Sequence, residues 1–394
     1  MAPGWPCNNE WLPRREVPLR NLPVICLLAV SFAARAAEPP VPPPPALAAR
    51  AWVLVDQQSG QVLAGHRADE PTEPASLTKL MSAYVVFHAL KEGKLRLDTL
   101  VPVSEHAWRS EGSRTFLDLN SRVPVNVLIQ GVIVQSGNDA TIALAEAVAG
   151  TEETFAALMN QYAERLGMAH SHFRNATGLP AEGHEMSPAD IAKLARAIIR
   201  EFPDYYRWYS QREFTWNRIT QQNRNGLLGR DPSVDGMKTG MTDSAGYCLV
   251  SSAKRDGMRL VSVVMGTESM RAREDASLAL LNYGFNFYET KTLRKGGEQV
   301  AMQRIYKAPG GEAAVGLAEN LVLTMRRGQS DRVEYQIELA PRVFAPLSKS
   351  DRVGVLRARV DGKVVAEAAL HPIADVPRGN IFRRIWDTIL SWFA

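Results

Sequence analysis

Ser76 and Lys79 lie three residues apart in Pro74-Ala75-Ser76-Leu77-Thr78-Lys79, where a stretch of helical periodicity begins. Residues i and i+3 share a helix face, so this hydroxyl and amine can meet. Proline is tolerated in the first helical turn. A serine at its ordinary pKa is a weak nucleophile and needs a base. Lysine can be that base when burial and nearby cations bring its pKa toward neutrality. The helix N-terminus favours the negative charge that develops there. Alone, the pattern is weak, because ordinary residue usage yields about one or two S-x-x-K by chance in a chain this long. A second copy is present, Ser251-Ser252-Ala253-Lys254. It falls in a predicted strand, where i and i+3 point to opposite faces and cannot meet.

Two further patterns follow in order. Ser136-Gly137-Asn138 is the only S-x-N of the chain and lies between two helical stretches. A tight turn there could project both side chains into a cleft, the serine relaying a proton between Lys79 and a leaving amine, the asparagine amide holding a substrate carbonyl. Lys238-Thr239-Gly240 is also unique and precedes a predicted hairpin. Glycine in a strand lets a substrate backbone approach closely, and Lys238 offers a cation to a carboxylate. Taken singly, each reads as an ordinary loop or strand end. Taken together and in this order, they form the signature set of β-lactamases and penicillin-binding proteins.

The chain resembles the low-molecular-mass penicillin-binding proteins, the serine D-alanyl-D-alanine carboxypeptidases of peptidase family S11. The likeness extends through EPASLTKLMSAYVVF, IQGVIVQSGNDATIALAE, NRNGLL, VDGMKTGMTDSAGYCLVSSA and RLVSVVMGT, and covers most of residues 50–288. The resemblance implies that Ser76 is acylated, that Lys79 is its general base, and that Ser136 passes the proton to the departing D-alanine. It implies that Lys238 and Thr239 receive the terminal carboxylate, with Asn138, Gly240, Arg224 and Arg273 also at the site. The oxyanion hole would be the backbone N–H groups of Ser76 and Met241, where some relatives carry histidine. The implied substrate is the peptidoglycan stem pentapeptide, and β-lactam antibiotics would acylate Ser76 by mimicry. No cofactor and no metal are expected. A β-lactamase and a non-catalytic wall-binding protein are the rival readings. Against the first, no E-x-x-[LI]-N pattern follows Asn138 to hold a deacylating water. Against the second, all the polar groups are retained.

These groups need a scaffold, and its elements are legible. Ala51–Val55 and Gln61–His66 flank a turn, and Tyr247–Lys254 and Arg259–Met265 flank Asp256-Gly257. Helical patterning covers 75–91, 125–134, 139–149, 153–166, 188–200 and 271–288. Strands at both ends of a segment with helices between predict an α/β (α+β) penicillin-binding/β-lactamase-like domain over 50–288, with an antiparallel sheet built from its termini. Residues 290–376 change to β texture, with predicted strands at 299–306, 321–326, 332–339 and a hairpin of 354–360 and 363–370 across Asp361-Gly362. This predicts a smaller all-β C-terminal domain.

Both ends carry signals of location. Arg14, Arg15 and Arg20, an apolar Leu22–Phe32 run and Ala34-Arg35-Ala36 predict a signal peptide over 1–36, followed by a Pro-rich linker over 37–49. Cys26 follows Ile25 rather than a small residue, so lipidation is not expected. Residues 378–394 predict an amphipathic helix with Phe382, Ile385, Trp386 and Ile389 on one face. At ~1.5 Å per residue it is too short to span a bilayer but suits a helix lying in the membrane interface. The expected location is the periplasmic face of the inner membrane, peripherally anchored by this helix.

Composition excludes several classes. The net charge is +4, from 46 basic and 42 acidic side chains, and no basic run with interleaved aromatics appears, so nucleic-acid binding is not expected. His170-Ser171-His172 lacks a third ligand at a sensible spacing for zinc. No G-x-S-x-G elbow and no H-E-x-x-H occur. Cys248, the one cysteine beyond the signal segment, reads as a small strand residue.

Overall fold

The computed structural model describes residues 41–390. The predicted signal peptide and the start of the Pro-rich linker lie outside the described residues, as do Trp392 and Phe393.

Strand Ala51–Asp56 is buried along its whole length, because both faces of its sheet are covered. That is why its sequence is a continuous apolar run rather than an alternation. Val53 and Val55 point into one hydrophobic cluster with Leu80, Val250, Val261 and Val263. Trp52 and Leu54 point into the other with Leu249, Leu260, Leu280 and Leu281. The antiparallel sheet has five strands in the order Val62–His66, Ala51–Asp56, Met258–Thr267, Gly246–Arg255, Val234–Thr242. Strands from the two ends of the domain therefore sit side by side, and Val234–Thr242 forms an edge.

Helix Pro188–Glu201 packs on one face, with Lys79–Lys91 and Asn138–Ala149 in the same apolar cluster, and Met270–Phe287 covers the other. The last approaches the sheet closely at Gly284, where a Cβ would stand 2.5 Å from a Leu260 methyl and 2.9 Å from one of Leu54. Helix starts follow their capping residues: Ser187 and Ser269 accept from the backbone N–H three residues on. Asp256-Gly257 and Asp361-Gly362 both have two positive φ values, the hairpin conformation that asparagine or aspartate followed by glycine favours.

The C-terminal part is all-β but holds two sheets. Gln299–Arg304, Glu312–Leu317, Lys363–Pro372, Gly354–Val360 and Val333–Leu339 form a five-stranded antiparallel sheet in that order. Tyr288–Arg294 pairs separately with Leu321–Arg326. Tyr288 follows Phe287 directly, so strand succeeds helix without a linker. The strand pair is fastened to the catalytic part by a polar cluster: Thr290 donates to buried Asp56 at 2.7 Å, and the Ser59 and Thr324 hydroxyls lie 2.6 Å apart.

Helix Ile381–Leu390 is attached by its polar face. Asp387, 1% exposed, accepts from the Lys307 backbone N–H at 2.5 Å and from Arg383 Nε at 3.1 Å. Phe382, Ile385, Trp386 and Ile389 face outward and are exposed. Among the described residues no helix is long and apolar enough to cross a membrane.

The sequence reading differs from the structure in three places. The predicted helix over 125–134 is an α-helix only over Val125–Gln130 and then a wider π turn over Gly131–Gln135. Strands Leu100–Pro102, Arg122–Pro124, Glu213–Trp216, Ile219–Gln222 and Glu312–Leu317 were not expected. They are short or Gly- and Ala-rich, so their alternation is faint. Tyr288 belongs to a strand, because its neighbours across the sheet, not its own periodicity, decide it.

Candidate active site

Ser76 sits in the 3-10 turn Ala75–Thr78, which runs directly into helix Lys79–Lys91. The preceding Ala75 has φ +47, a left-handed conformation that alanine rarely adopts. Two close backbone approaches hold it there. A Cβ on Gly178 would lie 1.9 Å from the Ala75 carbonyl oxygen, and one on Gly240 would lie 2.9 Å from that of Pro74. The serine turn is thus gripped between a loop and the edge strand, and both grips require glycine.

Lys79 is 1% exposed and donates to Ser76 Oγ at 2.9 Å and to the Thr177 carbonyl at 2.6 Å. Burial first, and the Arg224 guanidinium second, bring its pKa down to about 7. Glu152 and Asp139 oppose this from farther off. Near neutral pH the neutral amine, with its lone pair, is therefore accessible within reach of the hydroxyl.

Ser136 closes the π turn with φ +66 and is buried at 2% exposure. Gly137 cannot be another residue without rearrangement, since its Cβ would lie 2.1 Å from Thr115 Oγ1. The middle position of Ser136-Gly137-Asn138 therefore needs glycine. Asn138 opens the next helix; its Nδ2 donates to the Glu111 carbonyl at 2.5 Å, and its buried Oδ1 has no partner. The residue itself lines the cleft. Asp139, through the Thr115 and Leu117 N–H groups, holds the loop that crosses above.

Lys238 is buried, not an exposed strand end. It donates to Ser136 Oγ at 2.9 Å and to the Thr239 carbonyl at 2.9 Å. Burial, then Lys79, Arg224 and Arg273 in turn, hold its pKa well below the usual lysine range. Arg273, 3% exposed, reaches from helix Met270–Phe287 to the Gly240 carbonyl at 3.2 Å. Arg224 lines the mouth of the cleft, and burial lowers its pKa too.

These groups surround a cleft of about 490 Å³. Ser76, Ser136, Asn138, Thr239, Arg224 and Arg273 all line it, and no lining residue is acidic. The Arg224 and Arg273 guanidinium groups in a lining without a carboxylate make a basin for an anionic substrate end. Met241, half exposed, lies at its lip. The second S-x-x-K behaves as the periodicity predicts: Ser251 is buried within strand Gly246–Arg255 and Lys254 is exposed. Cys248 is buried in the same strand, and burial pushes its thiol up to about 11. No cluster of metal-ligating side chains occurs among the described residues.

Sequence reasoning missed the loop bearing Thr177 and Gly178. Its main contribution is a carbonyl oxygen, which residue type does not reveal. The Asn175 side chain that accepts from the Thr177 and Gly178 N–H groups is a turn signal that could have drawn attention to it.

The profile of the family described as D-alanyl-D-alanine carboxypeptidase matches residues 35–269. The chain belongs to that family. A second match, to the C-terminal domain of penicillin-binding protein 5, covers residues 288–378. Among relatives of this carboxypeptidase family, the chain is 39% identical to D-alanyl-D-alanine carboxypeptidase DacA of Escherichia coli K12 over 90% of each chain. It is 42% identical to DacC of the same organism, over 89% of this chain and 92% of that one. Penicillin-binding protein 5 from Haemophilus influenzae superposes with a TM-score of 0.81 at 40% identity, covering 85% of this chain and 99% of that one. Penicillin-binding protein D2 from Listeria monocytogenes, 28% identical with a TM-score of 0.57 over 62% of this chain and 100% of that one, has been solved in an ampicillin-bound form. The chain thus has the carboxypeptidase fold with its all-β C-terminal domain, and it is a serine peptidase.

Proposed function

We propose that this enzyme removes the terminal D-alanine from peptidoglycan pentapeptide stems through an acyl-enzyme on Ser76. The observation that carries the reading is the 2.9 Å contact between the buried Lys79 amine and Ser76 Oγ. The neutral amine takes the hydroxyl proton as Oγ attacks the carbonyl of the penultimate D-alanine. The backbone N–H groups of Ser76 and Met241 stabilise the oxyanion. Collapse breaks the peptide bond, and the proton travels through Ser136 to the leaving amine. Lys238, Thr239, Arg224 and Arg273 receive the carboxylate of the departing residue, and Asn138 positions the stem. Water then adds to the ester and restores the serine. A β-lactam carries an amide and a carboxylate in the same relation and acylates Ser76, but no leaving amine departs to make room for water.

Residues 1–36 act as an export signal on this reading, and the enzyme works at the periplasmic face of the inner membrane. The exposed apolar face of Ile381–Leu390 lies in the membrane interface. D-alanine release from a muramyl pentapeptide tests the assignment: the wild type releases it, and Ser76→Ala releases none and takes up no fluorescent penicillin. Undiminished release by Ser76→Ala would sink the reading.

A further inference from the structure

His184 is buried at 3% exposure behind the serine turn and takes no part in the steps above. Both ring nitrogens are engaged. Nδ1 accepts from the Arg174 backbone N–H at 3.2 Å, and Nε2 lies 2.9 Å from Thr78 Oγ1. A backbone N–H can only donate, so Nδ1 carries no proton and Nε2 donates to the threonine. The ring thus ties two segments that meet at the active site. Thr78 precedes Lys79 in the chain. Arg174 begins the loop whose Thr177 carbonyl receives the Lys79 amine and whose Gly178 rests on the Ala75 carbonyl. Burial first, then His172, Arg174 and Lys79, depress the ring's pKa to about 4, so the clamp is neutral and intact through the working range.

We propose that His184 is a positioning residue: by bridging Thr78 and the Arg174 amide, it holds the 174–178 loop on the serine turn and keeps the Thr177 carbonyl seated on the Lys79 amine. The consequence is chemical as well as mechanical. The loop is part of the wall that dries Lys79, and burial is the largest cause of its lowered pKa. Loosening the loop admits water, which restores the ammonium's solvation and makes the lysine a proton-bearing cation at neutral pH. The charged and titratable groups around Lys79 are Arg224, Glu152, Asp139, Lys238 and His184, and those around His184 are His172, Arg174 and Lys79. None of the others need change for the effect to appear.

The inference rests on Lys79 acting as the base. Two near-isosteric variants separate the arms of the clamp. In His184→Gln the amide sits near Nε2 and can keep Thr78, whereas in His184→Asn it sits near Nδ1 and can keep the Arg174 N–H. Thr78→Val removes the hydroxyl from the opposite side. The second-order rate constant for acylation by a chromogenic cephalosporin is followed from pH 5 to 9, with melting temperature as a fold control. The expected result is a fall of about fivefold at pH 7 in each folded variant, with the rising acid limb of the profile displaced upward by about one pH unit, as loss of a dry site predicts. An acid limb that stays in place in every variant that folds overturns the proposal, and if neither His184 variant folds, Thr78→Val decides alone. Persistent acylation in Ser76→Ala would instead overturn the reading on which it rests.

Discussion

Lys79→Met ought to stabilise this protein at neutral pH while abolishing its acylation. Lysine in an unfolded chain titrates near 10.5, whereas burial in the folded chain brings Lys79 to about 7. Between those values the unfolded state binds the proton and the folded state does not, so stability rises with pH across that window. Below pH 7 the full cost is present. At about 1.36 kcal/mol per unit it comes to roughly 5 kcal/mol, and at pH 7 itself to about 4. Methionine removes this cost but leaves the Thr177 carbonyl and Ser76 hydroxyl without their donor, a loss of about 1–3 kcal/mol. The variant should therefore be more stable by about 1–3 kcal/mol at pH 7. Near pH 10.5 the sign reverses, since the wild-type amine is then neutral in both states and keeps its hydrogen bonds. Calorimetric melting of both proteins from pH 6 to 10.5 reads this directly, because other titrations largely cancel in the difference. A stability difference that is independent of pH, or a variant less stable throughout, refutes the reasoning that Lys79 is a desolvated amine.

Other outcomes follow from the same geometry. The second-order acylation rate of the wild type should rise with pH through about 7 and then level off, because only the neutral Lys79 amine can accept the proton; a profile flat from pH 5 to 8 contradicts this. Gly178→Ala places a Cβ 1.9 Å from the Ala75 carbonyl at φ +83. It should cost roughly 2–5 kcal/mol in denaturant unfolding and slow acylation further by displacing the Ser76 turn. Lys238→Gln should lower D-alanine release by about a hundredfold or more, as removal of a positioned cation and proton-relay partner does, with the melting temperature unchanged or raised. Replacing both Phe382 and Trp386 by serine should abolish co-sedimentation with anionic vesicles and leave cephalosporin acylation in solution intact.

Much of the scaffold is readable in the linear pattern because local physics dictates it. Two Asp-Gly turns and the 3.6-residue periodicity of 139–149 and 188–200 each act within a few residues. The separation of Ser76 and Lys79 by one helical turn is local in the same sense, and so is the rejection of Ser251 and Lys254 on a strand. Burial is not local. Lys238 reads as a strand-end cation until Lys79, Arg224 and Arg273 converge on it from elements far apart in sequence.

The chain's own order of residues picked out the candidate side chains for the chemistry and the elements on which they ride, since turns and periodicity depend on near neighbours alone. Only the tertiary structure decided what state those side chains are in. The pKa of Lys79, the pairing of Ser136 with Lys238, and the Thr177 carbonyl on the amine all arise where segments about 60 to 145 residues apart exclude water together. Desolvation depends on everything that surrounds a group, and no single segment contains that information.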